Sequence, residues 1–101
     1  MQIEELQPLL TKVAILRGNP SASVVLEYVE QAVARARTSS MAQSVCDQII
    51  SMCNPKAWGD LNVAGFGRSW SDWHAFLSEL SELAESCGQA IYDHNRRAIG
   101  K

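Results

Sequence analysis

Cysteine and histidine give this chain its candidates for metal binding or nucleophilic chemistry: Cys46, Cys53, Cys87, His74 and His94. Their spacing argues against both. Cys46 and Cys53 are seven apart, and so are Cys87 and His94. On a helix seven residues rise about 10.5 Å, whereas a zinc ligand sits within about 2.3 Å of its metal and helical ligand pairs use separations of three or four. Neither pair fits one ion, so no metal is expected. Each cysteine also falls on the apolar stripe of its segment, where burial raises a thiol pKa and makes it inert. His94 is too far along the helix from Cys87 to act as its base. The preferred reading is therefore small apolar fillers, with no catalytic set and no cofactor.

A second group stands out by type. Five of the seven aromatic residues, Trp58, Phe66, Trp70, Trp73 and Phe76, lie in one short stretch with Gly59, Gly65 and Gly67. Aromatic side chains and arginine are enriched at interface hot spots, and glycines let a segment leave regular structure. Trp70 and Trp73 fit a periodic core stripe. Trp58 and Phe66 follow no period and are the better candidates for exposed anchors; the competing reading is that Trp58 caps the end of the core. Trp58, Phe66, Arg68 and Trp70 are the candidate partner-binding residues. Gly65 to Ser69 leads into a helix start and could hold an anion with Arg68. It carries no phosphate-loop or dinucleotide fingerprint, so a glycine-rich turn is the preferred reading.

These residues are positioned by helices. Ile3, Leu6, Leu9, Leu10, Val13 and Leu16 form one face of a first helix over about 3–17, with Pro8 a possible start of its regular part. Gly18 is a stop signal. Asn19 and Pro20 open a second helix to about Arg37, whose apolar face carries Val24, Val25, Tyr28, Val29, Ala32, Val33 and Ala36. Ser40 and Gln43 form a capping-box pattern for a third helix bearing Met41, Ala42, Val45, Cys46, Ile49, Ile50 and Cys53. Asn54 and Pro55 begin a turn near Trp58. The last helix, about 70–98, alternates steps of three and four from Trp70 through Trp73, Leu77, Leu80, Ala84, Cys87, Ile91 and His94 to Ala98. At about 43 Å if unbroken, it is expected to overhang the others or bend at Gly88. Its opposite face carries Asp72, Glu79, Glu82, Glu85 and Asp93, read as a solvated surface.

Composition bounds the function. A chain of 101 residues is one domain, and 47% hydrophobic with 20% charged residues is an ordinary globular balance. A net charge of −2 lacks the dense cationic surface of nonspecific nucleic-acid binders. Arg35, Arg37, Arg96, Arg97 and Lys101 sit where helices end, as dipole partners. There is no signal-peptide pattern at Met1–Glu5 and no apolar run of bilayer length. Three cysteines without framework spacing suit a reducing, cytoplasmic setting. The expected fold is all-α: an up-and-down bundle of about four helices with a longer irregular loop before the last. The expected role is a small non-enzymatic protein-binding domain of adaptor, inhibitor or immunity type, using the aromatic loop. Two alternatives are a homo-oligomer paired through the last helix, and a helical enzyme or ligand carrier with a pocket near His94 and Cys87.

Overall fold

The computed structural model describes residues 4–54, 56–61 and 70–99, with the side chains of the last helix described from Ser71 to His94. Four α-helices build an all-α bundle, with no strand among the described residues: α1, Gln7–Val13; α2, Ser23–Arg35; α3, Ser39–Met52; and α4, Trp70–Ile99. Short 3-10 turns at Glu4–Leu6, Ala14–Leu16, Pro20–Ala22 and Trp58–Asp60 bracket them. The expected first helix is thus divided into three pieces, with Pro8 in the first turn of its α-helical part, where a missing N–H costs nothing.

Local signals set most of the ends. Gly18 has φ +85°, the left-handed stop that glycine adopts freely. Asn19 caps the next turn through its side-chain oxygen, which accepts from Ser21 N at 3.0 Å. α2 stops at Arg35, and Ala36 turns extended and buries itself. One expectation is corrected here. Thr38, not Ser40, caps α3, its hydroxyl accepting from Met41 N at 3.1 Å. The extended backbone of Thr38 (φ −128°, ψ 163°) gives that hydroxyl the geometry a cap requires.

Neighbouring helices run antiparallel. Arg35 and Ala36 lie near Ser40 and Met41 at one end of the α2–α3 pair, and Tyr28 bonds Gln48 at the other. Along α3–α4, Cys46 faces Gly88 while Gly59, beyond the end of α3, faces His74. Lys12 of α1 meets Glu79 of α4 at 3.4 Å. α4 is unbroken, so Gly88 is not a bend. A Cβ placed there would lie 3.5 Å from Cys46 Cβ, ordinary contact. Thirty residues make α4 about 45 Å long, and it sets the long axis of a 50 × 22 × 18 Å molecule. Its buried side chains are Trp73, Phe76, Leu77, Leu80, Ala84, Cys87 and Ile91, with Tyr92 half-exposed beyond them. The core joins these to Leu6, Leu9, Val13, Leu16, Val25, Val29, Val33, Cys46 and Ile49.

Candidate functional site

The aromatic stretch behaves differently from its expected role. Trp58 is only 3% exposed, which corrects the reading of it as an exposed anchor. The turn that carries it is locked at both ends. The Asn54 side-chain oxygen accepts from Lys56 N at 2.7 Å and Ala57 N at 3.0 Å, and its backbone oxygen accepts from Gly59 N at 3.1 Å. From α4, Trp73 Nε1 donates to the Trp58 carbonyl at 2.9 Å and His74 Nε2 donates to the Gly59 carbonyl at 3.1 Å. A Cβ at Gly59 would lie 3.0 Å from the Asn54 carbonyl oxygen and 3.1 Å from His74 Cε1, so a side chain there would push on both. Trp73 stacks on Phe76 with ring centroids 5.4 Å apart. Phe66 and Arg68 lie outside the described residues, and so does the Trp70 side chain.

What the buried tryptophan supports is half-buried. Tyr28 of α2 meets Trp58 edge-on, with ring centroids 5.3 Å apart, and its hydroxyl donates to Gln48 Oε1 of α3 at 3.3 Å. Tyr28 is thereby fixed at one end of a groove of about 310 Å³ between α2 and α3. Tyr28, Ala32 and Met41 line its apolar side over the buried Ala36 and Val45, and Gln31, Arg35, Ser40, Ser44 and Gln48 form a polar margin. Met41 is 43% exposed. Val24, 52% exposed, precedes Tyr28 by one helical turn and so continues the same row. A shallow depression of about 500 Å³ between α1 and α4 has Leu83 as its only large apolar lining side chain.

Sequence reasoning placed Val24, Tyr28 and Met41 on core faces and did not single out the groove. The available signal was width. Val25, Val29 and Val33 already form a complete buried row on α2, while Val24, Tyr28 and Ala32 add a second row that one seam does not cover.

The chemically capable residues do not converge. Burial pushes the Cys46 thiol up to about 11, with the neighbouring Cys87 and Asp47 adding to the effect. Burial raises Cys53 to about 12. Cys87 is raised by burial and then by the negative charge of Glu5. Such thiols hold almost no thiolate at neutral pH. Cys87 is buried and His94 is exposed. Among the described residues no three His, Cys, Asp or Glu side chains could together hold a metal ion, and no helix is long and apolar enough to cross a membrane. No family model, curated protein or solved structure matches this chain.

Proposed function

We propose that this chain is a small non-enzymatic protein-binding domain, and that a protein partner docks along the α2–α3 groove. The observation that carries the reading is the placement of Val24 and Met41. These two large apolar side chains are about half exposed: Met41 lines the groove, and Val24 lies one helical turn before the half-buried Tyr28 at its end. Exposed apolar side chains scattered singly need no explanation; a run of them rimmed by polar residues marks an interaction site. The margin of serine and glutamine supplies hydrogen-bonding groups without a buried charge, the composition of an interface edge. In this reading the aromatic segment acts from below: Trp58 holds Tyr28 at the groove.

Site-specific photo-crosslinking tests this. A benzophenone side chain replacing Met41 should give a discrete heterologous adduct in extract of the source cells. The same group at Ala34, exposed on another face of α2, should not. Equal labelling from both positions would reject the groove. An adduct of the chain with itself would favour the homo-oligomer instead.

A further inference from the structure

The groove constrains its occupant in three ways. Its lining runs from Tyr28 to Arg35 on α2, with Ala36 just beyond its end, and from Ser40 to Gln48 on α3, about 10–12 Å along each helix. The i to i+7 anchor set of a helix spans about 10.5 Å. Its walls are two α-helices whose backbone groups are bonded within the helices, so it offers no sheet edge. An occupant must satisfy its own backbone, which a helix does and an extended strand does not. Positive charge is confined to one end. Arg35 is the only ionised residue of the lining, with Arg37 two residues beyond it. Both are exposed, and neither has an ion-pair partner among the described residues. At the opposite end the exposed carboxylates of Glu27 and Asp47 are one residue from Tyr28 and Gln48.

From these features, and resting on the docking role proposed above, we infer that the groove takes an amphipathic α-helix of a protein partner whose acidic side chain meets Arg35 and Arg37. The apolar stripe of that helix lies against Tyr28, Ala32, Met41 and Val45. The acid selects and orients the helix, because a basic residue at that end faces two unpaired cations. Rim charges of this kind contribute more to partner choice and encounter rate than to affinity.

Two synthetic lactam-bridged helices test the inference, titrated into the full chain labelled for amide NMR at low salt. Both carry leucine at i, i+4 and i+7; their end residues are glutamate in one and lysine in the other. The glutamate peptide should shift the amides of Tyr28, Ala32, Met41 and Val45 and bind on the order of tenfold tighter than the lysine peptide. The preference should shrink as salt rises. Replacing both arginines (Arg35→Glu with Arg37→Glu) should reverse it. Met41→Asp should abolish binding of both peptides while thermal unfolding stays near that of the unaltered chain. Equal affinities at the groove, unmoved by charge reversal, would overturn the acidic partner and leave the docking surface standing. Failure of both peptides to shift groove amides would overturn both readings. Octanoate saturating the groove where the glutamate peptide does not would also overturn the helical occupant, in favour of a small-carboxylate site.

Discussion

α3 borders two regions that close to different degrees. Toward α4, small side chains let the helices meet: Gly88 lies against Cys46, where a Cβ would make ordinary contact at 3.5 Å. Ala42, Cys46, Ile49, Leu80, Ala84 and Cys87 are all buried. Toward α2, a large side chain keeps a gap. Tyr28, braced on Trp58 and bonded to Gln48, stands at the open end, and Met41 remains 43% exposed. The face of α3 toward α4 is apolar and buried, whereas the face toward α2 mixes Met41 and Val45 with Ser40, Ser44 and Gln48. The α4 face is packed into the core, and the α2 face carries the groove for which the docking role is proposed.

The largest expected effect strikes the residue that supports both regions. Trp58→Ala should cost about 3–5 kcal/mol, the range for buried aromatics, and denaturant unfolding would read it. A loss below about 1 kcal/mol would mean that Trp58 braces nothing. Leu80, fully buried on α4, tests the closed region alone. Leu80→Ala should cost about 2–5 kcal/mol and leave peptide binding at the groove intact in the folded fraction.

Alkaline pH separates the regions by chemistry, because the raised thiols belong to α3 and α4. A thiol pKa raised in the folded state means that the unfolded chain loses its proton first. The stabilisation is complete below the ordinary value of 9.0 and is lost as pH rises toward about 11 for Cys46 and about 12 for Cys53. Stability followed by chemical denaturation should therefore fall from pH 9 upward, with Cys46 contributing on the order of 1 kcal/mol. Cys46→Ala should flatten that slope, and an unchanged slope would assign it to other groups.

Two glycines sharpen the comparison further. Gly88→Ala adds a methyl in ordinary contact distance and removes a poor helix former, so it should stabilise by about 0.5–1 kcal/mol. Gly59→Ala brings a Cβ to 3.0 Å from a backbone oxygen and should destabilise. A melting-temperature comparison of the two variants should show opposite signs. The smallest effect belongs to the open region: Met41→Ser should change stability by no more than about 0.5 kcal/mol, as exposed positions do. A larger loss would show that the groove is closed in solution.

Much of the fold was legible because its causes are local. The unbroken steps of three and four in the last helix, the stop at Gly18, the cap at Asn19 and the turn closed by the Asn54 side chain follow from helix periodicity and the hydrogen-bonding reach of short polar side chains. The site was less legible. Its apolar residues were visible, but as members of core faces, since a stripe does not say how much of itself a neighbour will cover. Trp58 misled because a residue in a 3-10 turn obeys no 3.6-residue period, and absence of period resembles exposure.

The sequence by itself determined that the chain is helical, how many helices it forms and roughly where each begins, because those choices are made within a few residues of backbone. Only the tertiary structure decided that Trp58 folds beneath Tyr28, that Gly88 serves contact with α3 and not a bend, and that the second apolar row of α2 is only partly covered. Each of those outcomes depends on the distance between helices, which is set by side chains far apart in the chain meeting at one crossing.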